Sequence, residues 1–214
     1  MGQVLRKFGG LYVQFGCGLC APSGWMNFES SPTLRFERIP VLGKLYSKNA
    51  MRFPANVRYG DILIGLPVAD ASCSGIYCSH VLEHLALEDI DAALTNTYRY
   101  LVTGGIFRLV VPDLGELVRC YVSDNADTAS HRFLEASGLG RRRRPRGLFE
   151  FIRDWFGNSA HLWMWDERSM AAKLRQHGFL EIRRAVFGDS EDPRFREVED
   201  KDRFEGCLAM QCRK

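Results

Sequence analysis

Residues 75–114 read GIYCSHVLEHLALEDIDAALTNTYRYLVTGGIFRLVVPDL, and this stretch decides the fold. Ile76, Tyr77 and Cys78 form a short apolar run that ends at Ser79-His80. Ile90, Ala93, Leu94, Thr97 and Leu101 then return at three- and four-residue steps, the spacing of one helix face. Gly104-Gly105 follows, and glycine after such a run supplies the positive φ that commonly closes a helix. Ile106 to Val111 is nearly unbroken apolar, as a strand covered on both faces should be, and Pro112-Asp113 stops it. Strand, helix and strand make a βαβ unit, and in open α/β sheets ligands bind beyond the carboxyl ends of such strands. His80, Glu83, His84 and Asp113 all fall at those ends, so chemistry is expected there.

The totals set the frame. A chain of 214 residues fits one domain, 1–214, and can bury a full core. A hydrophobic fraction of 46% and a charged fraction of 26% are those of a soluble globular protein. A net charge of +3 is too small to argue for nucleic acid as a partner. Seven cysteines without dense, regular spacing read as reduced thiols, hence a cytoplasmic protein. The opening MGQVLRKFGGLYVQF lacks the apolar core of a signal peptide. Arg6 stands where a myristoylation signal wants Ser or Thr, and no run is long enough to span a bilayer.

Before the central unit, Leu11 to Phe15 reads as a strand running into Gly16-Cys17-Gly18, where two glycines allow a sharp turn and close approach to a ligand. Trp25 to Glu29 is a second strand with an acid at its carboxyl end, placed to accept both hydroxyls of a ribose. Only nine residues, Gly16 to Gly24, connect the two, whereas a parallel crossover usually needs a dozen or more. Leu34 to Tyr46 holds at most a short helix broken by Pro40 and Gly43. Val57 to Tyr59 is a third strand, followed by Asp61, an acid suited to an adenine amino group or simply a turn residue beside Gly60.

After the central unit, Leu114, Leu117, Val118, Tyr121 and Val122 line another helix. Residues 123–160, with the run Arg141 to Arg146, read as an insertion that could serve as a substrate lid gripping a phosphate-bearing acceptor. Asp166 caps a helix carrying Met170 and Leu174 and ending at Gly178. Phe179 to Phe187 and Cys207 to Gln211 are the last strands, joined by the charged connection Gly188 to Gly206.

This order, with GCG after the first strand, acids ending the second and third, SHVLEHL after the fourth and PDL after the fifth, resembles a class I S-adenosylmethionine-dependent methyltransferase. More narrowly it is similar to small bacterial methyltransferases of polysaccharide and glycan biosynthesis, through Gly24-Trp25-Met26-Asn27-Phe28-Glu29, Leu66-Pro67, Tyr98 to Leu101 and His161 to Asp166. The resemblance spans most of the chain except roughly residues 30–55 and 123–158. It departs at Cys20, where a third small residue is usual, at Ser74, where an acid is usual, and at Glu29, where Asp is usual. It implies an α/β, Rossmann-like sandwich of about seven mostly parallel strands, the last antiparallel, with helices on both faces.

The cofactor implied is S-adenosyl-L-methionine. Its methionine part is expected near Phe15, Gly16, Cys17 and Gly18, its ribose at Glu29, its adenine at Asp61 and the Ile62 backbone, with Cys78 and Ser79 closing over it. The acceptor implied is a small molecule or glycan, and a sugar hydroxyl is a poor nucleophile that benefits from a general base. His80, Glu83 and His161 are the catalytic candidates, His80 first as base, with His84 and Asp113 nearby. No metal is expected. Two rivals stay open: a module that binds the cofactor without turnover, and a zinc hydrolase using His80-Val-Leu-Glu83-His84 as an HxxEH motif inside a helix. Cys17-Gly-Leu-Cys20 is a lone CxxC with no second pair.

Overall fold

Val13 and Phe15, Ile76 and Cys78, and Phe107, Leu109 and Val111 alternate with a period of two along three neighbouring strands, and every one is buried. The computed structural model describes residues 9–40, 51–140, 147 and 160–214. In it seven strands form one sheet: β1 (Leu11–Phe15), β2 (Met26–Glu29), β3 (Val57–Tyr59), β4 (Cys73–Ser79), β5 (Leu101–Pro112), β6 (Leu180–Ala185) and β7 (Cys207–Arg213). Their order is β3-β2-β1-β4-β5-β7-β6. The first five run parallel, and β7 lies antiparallel between β5 and β6. The direction of winding reverses between β1 and β4, so the crevice beyond their carboxyl ends is the natural ligand site.

The alternating side chains put a large apolar cluster on one face, where Ile90, Ala93 and Leu94 of α2 (Leu87–Tyr100) cover it, with Met170 and Leu174 of α5 (Glu167–Gln176). The opposite set, Tyr12, Tyr77, Ile106 and Val110, packs with Trp25, Phe195 and Val198. Here the cover is the charged connection before β7, whose short 3-10 turns are Pro193–Glu197 and Lys201–Arg203. Arg108 explains how so polar a segment packs there. It is 1% exposed, in the middle of β5, and its guanidinium donates to Glu199 (2.7 Å), Asp189 (3.0 Å), Gln211 (2.7 Å) and the Val186 carbonyl (3.2 Å). Tyr12 adds a hydrogen bond to Asp192 on the same face. A strand read as nearly continuous hydrophobic thus carries one arginine that anchors the whole connection.

The short first crossover is resolved by two buried polar side chains. Gln14 donates to the Cys20 carbonyl (2.7 Å) and to Asn27 Oδ1 (2.6 Å), and Asn27 donates to the carbonyls of Pro22 (3.1 Å) and Trp25 (3.0 Å). The loop has no helix to satisfy its own backbone, so the amides of β1 and β2 do it.

Gly104-Gly105 does not close the central helix. α2 stops at Tyr100, and Leu101 is already extended and opens β5. The carbonyls of Arg99 and Tyr100 are taken by the N–H groups of Ala71 and Ser72, both at 2.9 Å, so the chain entering β4 supplies the stop. The glycines instead serve a shift in register between Cys73 and Gly75, where a Cβ on Gly105 would meet the Cys73 carbonyl at 3.0 Å.

Elsewhere the expected elements form with adjusted ends. α1 (Pro32–Glu37) is capped by Ser31, and residues 41–50 of the expected short helix lie outside the described residues. The Asp166 cap is a full capping box with Ser169, and Gly178 at φ 87 follows the end of α5. Within the expected insertion, α3 (Leu114–Ser123) meets α4 (Ala129–Ala136) through Tyr121 and Phe133, with ring centroids 5.5 Å apart. The arginine run 141–146 lies outside the described residues. Among the described residues no helix is long and apolar enough to cross a membrane.

Candidate functional site

At the crevice between β1 and β4 the chain leaves β1 through Gly16 and Gly18, both with positive φ (63° and 54°). The two glycines do different work. A Cβ on Gly16 would overlap the Val81 Cγ2 methyl, so this residue must be small for β4's exit to pack against the turn. A Cβ on Gly18 would meet nothing within 4 Å, which leaves the second glycine open towards a ligand. Phe15 and Cys17 turn their side chains into the core, at 2% and 4% exposure, and can offer a ligand backbone only. Burial, and secondarily Glu29, pushes the Cys17 thiol up to about 12. Cys20 is exposed, and all seven cysteines are free.

Glu29 ends β2 beside this turn. Its Oε2 accepts the Gly18 N–H (3.0 Å) and its Oε1 accepts the Ser31 N–H (2.9 Å). Each carboxylate oxygen keeps a further lone pair, so the group can still accept ligand hydroxyls. Asp61 lies just past β3, where Gly60 donates to the Glu29 carbonyl (3.2 Å). Asp61 Oδ1 accepts the Leu63 N–H at 2.9 Å, the pattern of a polar turn, and Ile62 is buried with its carbonyl held by Asn96 at 2.7 Å. Asp61 thus shapes the turn through one carboxylate oxygen.

Cys78 and Ser79 end β4. Cys78 is 1% exposed and points into the core, while Ser79 lines the cleft. That cleft also takes Gln14, Phe15, Gly16, Cys17 and Cys20 from the first strand and its turn, and Glu199, Asp200 and Arg203 from the charged connection. Arg203 reaches the Ser79 carbonyl at 3.3 Å. The residues of this connection are missed by sequence reasoning, because no motif surrounds them. Their only signal is Arg108, a buried charge that needs partners.

His80, the first candidate for general base, is engaged by the protein on both ring nitrogens. It follows β4 at φ 54, an uncommon left-handed conformation for a residue with a Cβ. Its Nδ1 stands 3.1 Å from Glu83 Oε1 and its Nε2 3.3 Å from the Arg203 carbonyl. Burial lowers its affinity for a proton, but contacts with Cys207, Glu83 and that carbonyl outweigh burial and raise its pKa to about 9. With Nδ1 turned to a carboxylate and Nε2 to a carbonyl, both ring nitrogens face acceptors within the protein. Its position clamps β4's exit to the 201–203 turn.

Nor do His80 and His84 share a helix face, as the HxxEH reading requires. His80 lies in the turn, and only Leu82–His84 winds, as one turn of 3-10 helix. What the fold brings together instead is Glu83, His84 and His161, whose ligating atoms all lie within 4.8 Å of one another. The main chain entering α5 lies alongside, with Leu162 and Trp163 donating to the Glu83 carbonyl at 2.7 and 3.2 Å. Asp113 is occupied structurally: it caps α3 by accepting from Glu116 N (3.2 Å) and pairs with Arg184 (2.8 Å).

Residues 13–109, a little under half the chain, match the family model described as a methyltransferase domain. No curated protein matches by sequence. Among solved structures, the chain is similar to a SAM-dependent methyltransferase of Thermotoga maritima at 16% identity and a TM-score of 0.51, over 96% of this chain and 82% of that one. A Haloferax volcanii methyltransferase, solved with the Trm112 methyltransferase activator, is similar at 18% identity and a TM-score of 0.50, over 96% and 83%. The fold is the Rossmann-like one of class I methyltransferases, and the domain match supports an enzyme that takes S-adenosylmethionine as its cofactor.

Proposed function

We propose that this chain transfers a methyl group from S-adenosylmethionine to a hydroxyl of a glycan or related small carbohydrate. The observation that carries the reading is the pairing at the first turn: Gly18 is open on its ligand side while its N–H is held by the Glu29 carboxylate. When bound, the cofactor supplies an electrophilic methyl on a sulfonium. Glu29 accepts the ribose hydroxyls, and the free oxygen of Asp61 takes the adenine amino group. The backbone of Phe15 to Gly18 follows the methionine part, and Ser79 borders it across the crevice. Cys78 contributes by holding the end of β4 in the core, not by touching a ligand.

The chain's own contribution to the reaction is chiefly positioning, since holding an acceptor in line and close removes much of the barrier. The acceptor end is the rim formed by Glu83, His84 and residues 160–165. Trp163 is 41% exposed there, its ring 6.4 Å from the buried Trp165 and supported by it. An exposed aromatic face suits the C–H face of a sugar, which packs on apolar rings while its hydroxyls stay hydrated. The similarity of Gly24 to Glu29 and His161 to Asp166 to glycan methyltransferases points the same way.

The test is release of S-adenosylhomocysteine over a panel of free saccharides, phosphate-bearing saccharides, amines and carboxylic acids. Turnover is expected with saccharide hydroxyls. Turnover with amines alone would replace the acceptor class and keep methyl transfer. Tight cofactor binding without turnover on any acceptor would leave the chain a binding module.

A further inference from the structure

We propose that Glu83, His84 and His161 form a binding site for one divalent transition metal at the acceptor end of the crevice. This inference depends on the methyl-transfer reading only for the site's purpose, not for its existence. Three observations carry it. Glu83 is 0% exposed, and neither of its carboxylate oxygens has a hydrogen-bond partner among the described residues. A carboxylate so placed is costly unless a cation faces it. His80 Nδ1 stands 3.1 Å from Oε1, and Oε2 has no hydrogen-bond partner among the described residues.

The two histidines are set up as ligands by what holds their other nitrogens. His84 Nδ1 stands 3.0 Å from the Ala160 carbonyl, and His161 Nδ1 stands 2.7 Å from the Ser137 carbonyl. A carbonyl only accepts, so each Nδ1 carries a hydrogen, which leaves Nε2 as the nitrogen each ring can offer a metal. Backbone carbonyls behind ligating histidines are the usual second layer of a metal site. The rings lie 5.0 Å apart at 67°, turned edge to face. Gly138, with φ 68, makes the room: a Cβ there would overlap the His161 ring.

The separation is close to what an ion needs. Tetrahedral ligands bound at about 2.0–2.2 Å stand about 3.4 Å apart, and the present atoms lie within 4.8 Å, so a contraction of at most about 1.5 Å closes the set. Two imidazoles and a carboxylate favour zinc, iron or cobalt over magnesium or calcium, which prefer oxygen ligands. Three protein ligands leave at least one position for an oxygen from outside. A hydroxyl bound there would lose its proton to solvent more readily, because a metal lowers the pKa of the oxygen it holds.

The experiment uses the full chain, stripped of metal with a chelator and dialysed. Co²⁺ is titrated and followed by visible absorption, and Zn²⁺ by calorimetry. One equivalent is expected, with cobalt bands in the visible and no thiolate charge-transfer band in the near ultraviolet. His161→Ala is expected to weaken binding by about 100-fold or more. Glu83→Gln is expected to do the same, and the half-buried His161 keeps the test open should the buried substitution unfold the chain. S-adenosylhomocysteine affinity is read in parallel by calorimetry. Absent visible bands, a thiolate signature from Cys17 and Cys20, or binding unchanged in His161→Ala would each overturn the site. Metal uptake without S-adenosylhomocysteine binding would sustain the site and overturn the methyl-transfer reading. The reverse pattern would sustain that reading and overturn the site.

Discussion

Arg108→Ala is expected to cost the fold about 3–5 kcal/mol, because it strips a buried cation from the buried Glu199 and the half-buried Asp189. Glu199 and Asp189 both face the guanidinium, and the Glu199 side chain is 0% exposed. Without Arg108 the Glu199 carboxylate keeps only the Gly188 N–H, at 2.8 Å, and Asp189 keeps Arg183. The loss should spread to function, since Glu199, Asp200 and Arg203 line the cleft. Urea denaturation followed by circular dichroism reads the stability, and the double variant Arg108→Met with Glu199→Gln is the control. It removes both charges and should recover part of the loss, because a paired buried charge is worth little over an apolar substitute of like size. A stability within about 1 kcal/mol of the parent in Arg108→Ala would mean that the charged connection is held by its aromatic contacts, with Phe195 foremost.

Gly16→Ala should be the more damaging of the two glycine changes at the crevice. A Cβ there meets the Val81 methyl, and φ of 63° is unfavourable for any residue with a side chain. Left-handed strain of about 1–2 kcal/mol adds to an overpacking cost of about 1–3 kcal/mol. Gly18→Ala carries only the strain of about 1–2 kcal/mol, since its Cβ would enter open space. The two variants should therefore separate in kind: the first unfolds at lower urea, and the second keeps most of its stability but binds S-adenosylhomocysteine more weakly. Equal loss of stability in both would show that the opening over Gly18 is filled by the protein itself.

The central βαβ unit was legible because its periods are undiluted: two along β4 and β5, and 3.6 along α2. Its strands begin earlier than read, at Cys73 and Leu101, and the misplaced helix stop at Gly104-Gly105 turned on a tertiary contact. Ala71 and Ser72 reach back from the entry of β4 to take the last helix carbonyls, and no local rule anticipates a cap supplied by another segment. The ends of the first three strands were legible too: Gly16 and Gly18 follow β1, Glu29 ends β2 and Asp61 lies just past β3. The covering of the second face was not. Phe195, Glu199 and Arg203 lie in a stretch without period, and only contact with Arg108, Tyr12 and Ser79 gives them a place. His80 shows the same limit. Its position in sequence says strand end, but its φ of 54° and its contacts with Glu83 and Arg203 come from the fold alone. His84 and His161 are 77 residues apart by number, and the long return through α3 and α4 is what joins them.

The central claim is that the rim of Gly18 and Glu29 holds the adenosyl cofactor, and one calorimetric titration tests it most directly. S-adenosylhomocysteine is titrated into the parent chain and into Glu29→Ala. Hydrogen bonds to a charged acceptor are worth about 1.5–3 kcal/mol, so removing the carboxylate should weaken binding by about 10- to 100-fold. One site per chain in the parent and that loss in the variant is the result predicted. No binding by the folded parent, or an affinity unchanged in Glu29→Ala, would contradict it.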